Sequence, residues 1–314
     1  MSKCAFIFPG QGSQYVGMGQ ELYKNFTVCR QTLEEADDAL NFGLTKLCFE
    51  GPAEELNKTA NTQPAILAVS IAALRVLTQE CGLRPEAVAG HSLGEYSALV
   101  AAGAIKFADA IRVVRQRGQF MQEAAPIGSG GMAAVLGLDR AKVIACCQEA
   151  AASGVIEPVN FNCPGQVVIA GQKGALQRAM ELCRQAGAKR VIELAVSGPF
   201  HSSLMRPAGE RLAQVLAEVE IKDPQTPVMA NVSARYVTNA GEIRDSLAKQ
   251  VYGAVLWEDS IAKLAQDGID TMVEIGPGKV LCGLVKKINK DIATHNVEDL
   301  ASLEKVLAQF KEVG

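Results

Sequence analysis

The pentapeptide Gly90-His91-Ser92-Leu93-Gly94 has the G-x-S-x-G spacing of a nucleophile elbow. In such an elbow the serine lies on a tight turn between a strand and a helix, so the residues two before and two after it must be small. The apolar run Ala87–Ala89 precedes the motif, and a helical pattern at Leu93–Ala102 follows it. Ser92 is therefore predicted to be a nucleophile at a helix N-terminus, where the backbone N–H of Leu93 can stabilise an oxyanion. The alternative is a glycine-rich turn in which Ser92 only caps the helix.

A nucleophilic serine needs a base, and the chain has three histidines. His91 adjoins Ser92 and is predicted to support the turn, whereas His295 lies in a polar stretch and is predicted to be solvated. His201 is the predicted base because it lies where a central unit of the chain rejoins the rest, and such junctions favour clefts. No acidic residue near His201 stands out as a third member of a triad. A carbonyl oxygen is therefore expected to orient its ring.

Three arginines, Arg112, Arg115 and Arg117, share the next predicted helix, Ala108–Glu123. Two positions along a helix turn the side chain by about 200°, so Arg115 and Arg117 cannot share a face and one of them is expected to point inward. A buried guanidinium requires an anion. In a pocket with a serine nucleophile, the natural anion is a substrate carboxylate held by two hydrogen bonds.

Two glycine-rich loops do not have the spacing of phosphate-binding motifs. The loop Pro9–Gln14 follows the first predicted strand, but Tyr15 stands where a G-x-G-x-x-G motif requires its third glycine. The segment Glu274–Lys279 lacks the spacing of a P-loop. A nucleotide-binding protein is therefore disfavoured, and the first loop can instead place the backbone N–H of Gln11 beside the nucleophile.

The middle of the chain is predicted to form a small separate unit, residues 128–197, which begins at the glycine cluster Gly128–Gly131. Its elements follow the order β-α-β-β-α-β, which is typical of a ferredoxin-like fold. They are strand Met132–Leu138, helix Arg140–Ala151, strands Ile156–Phe161 and Gln166–Ala170, helix Lys173–Ala186 and strand Arg190–Val196.

The flanking residues 1–127 and 198–314 are predicted to form one larger α/β domain with longer helices. A helix at about Pro64–Cys81 is expected to be capped by Asn61 or Thr62. The other predicted elements are strands Cys4–Phe8, Pro227–Asn231 and Thr271–Ile275, and helices Gly19–Asn25, Val28–Leu40, Leu204–Glu220 and Ser246–Asp267.

Composition excludes several classes of protein. The chain has 314 residues, 48% of them hydrophobic, with 31 Lys and Arg against 34 Asp and Glu, for a net charge of −3. This balance argues against nucleic acid or an anionic membrane as partner. The longest uncharged stretch, Thr59–Leu74, contains polar residues and is shorter than the ~20 apolar residues that span a bilayer.

The N-terminus and the cysteines predict a cytoplasmic location. Residues 1–10 lack the apolar region of a signal peptide. The nine cysteines are odd in number and form no C-x-x-C pair, so they are expected to be reduced, without disulfides or a metal site.

Six motifs, in order along nearly the whole chain, resemble those of the malonyl-CoA:acyl-carrier-protein transacylase family. They are Phe8–Gln14, Thr62–Ala65, Gly90–Glu95, Arg112–Gly118, Pro199–Ser202 and Glu274–Gly278. The resemblance implies an α/β fold, with an α/β-hydrolase-like core built on a parallel sheet and an inserted ferredoxin-like subdomain. It also implies a monomer that uses no cofactor.

The resemblance also implies roles for individual residues. Ser92 would carry the acyl group and His201 would act as base and acid, with its ring held by the main-chain carbonyl of Gln250. Arg117 would hold the free carboxylate of malonate, and the N–H groups of Gln11 and Leu93 would form the oxyanion hole. Gln63 would line the malonyl site, and Phe200 beside His201 resembles the residue found at this position in relatives that prefer malonyl. The remaining candidates, for the pantetheine channel, are Met132, Asn162 and Gln166.

The function implied by the resemblance is transfer of malonyl from malonyl-CoA to the phosphopantetheine thiol of acyl carrier protein, for fatty acid biosynthesis. The sequence does not separate this pathway from polyketide synthesis. An acidic carrier protein would need a local basic surface, for which Lys189, Arg190 and Arg206 are candidates. Two alternatives remain: a serine hydrolase that uses the same Ser92 and His201 with water, and a non-catalytic module that binds CoA or carrier protein.

Overall fold

The computed structural model describes residues 3–125, 128, 130–196 and 198–311. Its strands are β1 (Cys4–Phe8), β2 (Ala87–Gly90), β3 (Gly130–Leu136), β4 (Ile156–Cys163), β5 (Gln166–Gln172), β6 (Arg190–Glu193), β7 (Val228–Ala230), β8 (Arg235–Val237), β9 (Thr271–Ile275) and β10 (Ala293–Val297).

The helices of the described residues range in length from four to 23 residues. They are α1 (Gln20–Asn25), α2 (Thr27–Leu40), α3 (Leu44–Glu50), α4 (Ala53–Leu56), α5 (Thr59–Cys81), α6 (Gly94–Ala101), α7 (Phe107–Ala124), α8 (Arg140–Ala150), α9 (Lys173–Gln185), α10 (Arg206–Glu218), α11 (Ala240–Gln250), α12 (Trp257–Gln266), α13 (Val280–Ile288) and α14 (Leu300–Lys311).

Within the described residues the strands form two sheets. The larger has six strands in the order β10-β9-β1-β2-β7-β8, parallel except for β8, and the smaller has four antiparallel strands in the order β4-β5-β3-β6. Because β1, β2 and β7 are adjacent and parallel, the segments that follow them all emerge at one edge of the larger sheet. This edge carries the candidate site.

The four-stranded sheet and its two helices contain the six elements predicted between residues 128 and 197, in the predicted order. The last strand is shorter than predicted, because β6 ends at Glu193 rather than Val196. The predicted unit boundaries fall at residues 127 and 197, which lie outside the described residues.

The buried helix α5 forms much of the core beside the large sheet. Among the described helices it alone is long and apolar enough to cross a bilayer, but 67% of its apolar window is buried inside the protein, as befits a core helix. It begins at Thr59, earlier than predicted, and the predicted capping was wrong. Thr62 and Asn61 donate hydrogen bonds to the carbonyls of Leu56 and Glu55 instead.

The single helix predicted at Ser246–Asp267 was also wrong, because two helices, α11 and α12, occupy this region. Between them the chain pairs with β4: the N–H of Val255 donates to Val159 O at 2.8 Å, and the N–H of Phe161 donates to Val255 O at 2.9 Å. Helical periodicity cannot reveal this pairing, because the partner strand is distant in sequence. The break matters because Gln250 becomes the last residue of α11.

Other elements were not predicted, namely α3, α4, α13, α14, β8 and β10. His295, predicted to be solvated, lies in β10 and packs edge-on against Phe310, with ring centroids 6.0 Å apart.

Candidate active site

Ser92 lies on a strained turn between β2 and α6. Its φ angle is 51°, in the left-handed region that residues other than glycine rarely adopt. A Cβ at Gly90 would overlap the backbone of Gly94, and a Cβ at Gly94 would overlap Phe8 O at the end of β1. The two glycines of the G-x-S-x-G motif are therefore required by backbone packing.

Asn231, which follows β7, holds this turn in place. Its side-chain Oδ1 accepts the N–H of Ser92 at 2.6 Å, and its Nδ2 donates to Gly90 O at 2.7 Å. Both partners are backbone groups of the elbow, and Asn231 is 1% exposed. The strained conformation of Ser92 is thus stabilised by a residue from the neighbouring strand.

Ser92 and His201 form a hydrogen-bonded pair, with Ser92 Oγ 2.8 Å from His201 Nε2. The other ring nitrogen, Nδ1, lies 2.7 Å from the main-chain oxygen of Gln250. A carbonyl oxygen can only accept, so Nδ1 carries the proton and Nε2 is free to accept from the serine hydroxyl. The carbonyl of Gln250 is available because α11 ends at this residue.

The neutral form of His201 is strongly favoured. Burial first, and the positive charge of Arg117 second, lower its pKa from 6.5 to about 3. The ring is therefore neutral at neutral pH and can act as a base.

Arg117 points inward from α7 and is 1% exposed. Its Nη1 donates to Gln63 Oε1 at 2.8 Å, while Nη2 donates to Gln250 Oε1 at 2.9 Å and to Ser92 Oγ at 3.3 Å. Its Nε has no hydrogen-bond partner among the described residues. Burial lowers the pKa of Arg117, and no carboxylate of the described residues lies within ion-pairing distance of it.

The other two arginines of α7 lie elsewhere. Arg112 is exposed and pairs with Asp109 at 3.1 Å. Arg115 stacks over the ring of Phe42, 4.3 Å from its centroid. Only Arg117 of the three faces the serine, which agrees with the expectation that one arginine points inward.

Two backbone N–H groups beside Ser92 are unengaged. In the described part of the chain, neither the N–H of Leu93 nor that of Gln11 has a hydrogen-bond acceptor. Leu93 immediately precedes α6. Gln11 lies in the loop after β1, the strand next to β2 in the sheet. Both residues line one cavity together with Ser92, and these are the two N–H groups that were predicted to form the oxyanion hole.

Two adjacent cavities are lined by most of the predicted residues. The inner one has a volume of about 110 Å³, which suits a short acyl group. Its lining includes Ser92, His201, Arg117, Gln11, Leu93, Gln63, Phe200 and Met132. The outer one, of about 250 Å³, shares Gln11, His91, Asn160 and Leu194 with the inner one and is also lined by Asn162 and Gln166.

Of the predicted site residues, only Gln250 lines neither cavity. It is fully buried behind His201 and Arg117, and contacts both. His91 lies between the cavities, with its Nε2 2.8 Å from Asn162 Oδ1 and its ring tilted against Trp257. The side chain of His91 therefore contacts Asn162 and Trp257 and is not a member of the Ser92–His201 pair.

Residues that the sequence did not single out complete the site. Asn231 and Glu95 hold the elbow from behind, and Asn160, Leu194 and Val196 line the cavities. Glu95 directly follows the G-x-S-x-G motif, which was the one available signal. No group of three or more potential metal ligands occurs among the residues that the structure describes.

The fold and the site define an enzyme class in which a serine accepts an acyl group, and comparison gives the family. Residues 5–309 match the family model described as Acyl transferase domain, so the chain belongs to that family. It is 50% identical to the malonyl CoA-acyl carrier protein transacylase of Bacillus subtilis over 313 residues, which cover 99% of this chain and 98% of that protein.

Solved structures agree with this assignment. An acyl carrier protein S-malonyltransferase from Vibrio cholerae is 49% identical with a TM-score of 0.95, covering 97% of this chain and 100% of its own. A malonyl-transacylase in complex with its type II PKS acyl-carrier protein is 48% identical with a TM-score of 0.96, covering 98% of this chain and 100% of its own.

Proposed function

We propose that this chain is an [acyl-carrier-protein] S-malonyltransferase, which moves malonyl from malonyl-CoA to the phosphopantetheine thiol of acyl carrier protein through a malonyl-Ser92 ester. The observation that carries the proposal is the buried guanidinium of Arg117, 3.3 Å from the Ser92 hydroxyl and bonded only to neutral oxygens among the described residues. Such a cation favours an acyl group with its own carboxylate, as malonyl has. Relatives at about half identity over the full chain bear the same enzyme name.

In the first half-reaction, Ser92 Oγ attacks the thioester carbonyl of malonyl-CoA while His201 Nε2 takes the hydroxyl proton. The carbonyl oxygen becomes an oxyanion facing the N–H groups of Leu93 and Gln11. Collapse of this intermediate breaks the C–S bond, and the proton on His201 passes to the leaving thiolate of CoA. The malonyl-Ser92 ester and neutral His201 remain.

The malonyl carboxylate also assists the base. Arg117 lowers the pKa of His201, because protonation of the ring places a second positive charge close to the guanidinium. A carboxylate bound to Arg117 compensates its charge and makes the imidazolium easier to form. A substrate without the carboxylate, such as acetyl-CoA, lacks both the contact and this assistance.

In the second half-reaction, the carrier's phosphopantetheine thiol enters through the outer cavity, loses its proton to His201 and attacks the carbonyl carbon of the ester. The C–O bond to Ser92 then breaks and His201 returns the proton to Ser92 Oγ, which leaves malonyl as a thioester on the carrier and regenerates the free serine. We propose that Met132, Asn162 and Gln166 line this path and that Gln63 and Phe200 bound the malonyl group. Val280 of α13, 58% exposed, lies at the outer cavity.

A basic surface for the carrier protein has several candidates. Lys189 and Arg190 are exposed, as are Lys286 and Lys287 on α13, the helix that carries Val280. Arg206 instead stacks over Tyr252, 4.6 Å from the ring centroid, and belongs to neither cavity lining. The α13 lysines are the better candidates because their helix lines the outer cavity.

The finer description of the fold is also a proposal. We assign an α/β-hydrolase-like domain to residues 1–127 and 198–314 and a ferredoxin-like subdomain to residues 128–197. Support comes from the parallel sheet with its strand-serine-helix turn, and from the antiparallel order β4-β5-β3-β6 in the inserted part.

The cellular setting that we propose is a cytoplasmic monomer acting in fatty acid biosynthesis without a cofactor. All nine cysteines fall within the described ranges and are free thiols, which suits a reducing compartment. Polyketide synthesis is the second candidate pathway, because one similar structure is that of an enzyme bound to a type II PKS carrier protein.

Intact-mass spectrometry after brief mixing with malonyl-CoA tests the proposal. The wild type is expected to gain one malonyl group, Ser92→Ala none, and addition of holo carrier protein is expected to move the group to the carrier. Steady release of CoA without an adduct and without carrier protein would instead indicate a serine hydrolase. If the wild type formed no adduct and released no CoA, malonyl transfer would be refuted.

A further inference from the structure

Glu95 is a buried carboxylate that takes no part in the acyl-transfer steps above. It lies in the first turn of α6, three residues after Ser92, and is 1% exposed. Its Oε2 accepts two hydrogen bonds, from the N–H of Asn231 at 3.0 Å and from Gln250 Nε2 at 2.8 Å. One carboxylate oxygen therefore connects the end of β7, the end of α11 and the helix of the elbow.

The side chain of Gln250 lies between the guanidinium of Arg117 and the carboxyl group of Glu95. Its Oε1 accepts from Arg117 Nη2 at 2.9 Å, and its Nε2 donates to Glu95 and to Ser92 O, at 2.8 and 2.9 Å. A flipped amide would set its NH₂ group against the guanidinium and its oxygen against the carboxylate, so both contacts would become repulsive. Glu95 and Arg117 together thus fix one orientation of this amide.

The same residue orients the base. The main-chain oxygen of Gln250 holds His201 Nδ1, and its side chain holds Arg117, so any shift of Gln250 moves both groups that face Ser92. Glu95 is the acceptor that anchors the end of the Gln250 side chain from the side away from Arg117.

We propose that Glu95 is a positioning residue for acyl transfer: by anchoring Gln250 and Asn231 it keeps His201 and Arg117 aligned on Ser92. The inference deepens the proposed function and rests on it for the part that concerns malonyl. Its other part, the alignment of His201 with Ser92, holds for any acylating reagent.

The role requires an acceptor oxygen at this position rather than a negative charge. Burial raises the pKa of Glu95 to about 7, so protonated and ionised forms coexist near neutral pH. Arg117 from α7 and the Tyr96 hydroxyl of α6 are the ionisable groups that interact with it, whereas α11 and the end of β7 present neutral amides. Because both hydrogen bonds use Oε2, a proton on Oε1 leaves them intact, and a glutamine at this position can accept both as well.

The test compares Glu95→Ala with Glu95→Gln. Ser97→Ala is the matched control, because it truncates another buried side chain of α6 whose hydroxyl has no partner in the described structure. For each variant, kcat and KM with malonyl-CoA and carrier protein are measured per titrated active site. The rate of Ser92 labelling by phenylmethylsulfonyl fluoride is measured in parallel, since this neutral reagent has no carboxylate for Arg117.

Glu95→Ala is expected to lower kcat by about 10- to 100-fold, the effect of leaving buried donors unpaired, and to raise KM for malonyl-CoA. Labelling by the sulfonyl fluoride is expected to slow as well. Glu95→Gln is expected to restore kcat, KM and labelling to within about threefold of the wild type, and Ser97→Ala to match the wild type. A purely structural role would lower the folded fraction without changing these rates per titrated site.

Two results would overturn the inference: Glu95→Ala with wild-type rates per site, or Glu95→Gln as impaired as Glu95→Ala. Failure of the proposed function gives a different pattern. In that case the wild type would not transfer malonyl, while sulfonyl fluoride labelling would still slow in Glu95→Ala and recover in Glu95→Gln.

Discussion

Replacement of Arg117 by alanine is the most direct probe of why this site would choose malonyl. Arg117 lines the inner cavity, where Nη1 bonds Gln63 and Nη2 bonds Ser92, two residues of the same lining. We expect a substrate carboxylate in this cavity to receive two charge-assisted hydrogen bonds from the guanidinium. Each such bond contributes about 1.5–3 kcal/mol, so losing both costs about 3–6 kcal/mol. This corresponds to a decrease of about 150- to 25,000-fold in kcat/KM for malonyl-CoA.

The assay measures kcat/KM for malonyl-CoA and acetyl-CoA with the same carrier protein and compares their ratio. Acetyl has no carboxylate, so its rate reports whether Ser92 and His201 remain functional in the variant. The ratio is expected to fall by the factor above in Arg117→Ala and to stay unchanged in Arg112→Ala, whose side chain is exposed on the same helix. An Arg117→Ala enzyme that keeps the malonyl preference would refute the carboxylate clamp.

The same substitution has a second expected effect, on the base. Arg117 is the second cause of the lowered pKa of His201, after burial. Without that positive charge the imidazolium is less disfavoured, so the pKa of His201 rises in Arg117→Ala. The acid limb of the pH profile for acylation by acetyl-CoA is expected to move to higher pH. A limb that stays in place would contradict this electrostatic coupling.

Three further predictions concern the elbow and the base. Asn231→Ala leaves two buried backbone groups of the elbow unpaired and should lower the free energy of unfolding by about 2–6 kcal/mol in urea titrations; a loss below 1 kcal/mol would contradict this account. Gly94→Ala forces a Cβ into the end of β1 and should yield little folded protein. The control, Gly174→Ala, should fold normally because its Cβ meets no atom within 4 Å. Equal yields of folded protein from the two variants would count against the packing argument. The pKa of His201 falls from 6.5 in the unfolded chain to about 3 in the folded protein, so between these values the unfolded chain binds one more proton. The stability of the wild type relative to His201→Gln should therefore decrease as the pH is lowered from 7 to 5. A difference in stability that does not change with pH would show that the histidine is not held neutral.

Much of the site was predictable because its signals are local. The two glycines around Ser92, the strand before it and the helix after it lie within a short stretch, and the tight turn that they form depends mainly on that stretch. Helical geometry alone required either Arg115 or Arg117 to point inward. The scarcity of histidines reduced the choice of base to His201.

Resemblance to a family supplied what local pattern could not. Nothing in the residues around Gln250 marks its carbonyl as the partner of His201, because any residue has a carbonyl. That carbonyl is available because α11 ends at Gln250, and it ends there because the following segment pairs with β4. The sequence alone predicted an unbroken helix at Ser246–Asp267, which runs through Gln250, so the local pattern gave the wrong result at this position.

The sequence by itself determined the elbow, the order of elements in the inserted unit and the burial of an arginine, because each follows from spacing within one element. Only the tertiary structure decided which residues support them. Asn231 binds the backbone of Ser92, and Glu95 binds Asn231 and Gln250, through hydrogen bonds that join residues far apart in sequence. Such contacts depend on how parallel strands align in the sheet, and this alignment has no local signature in the chain.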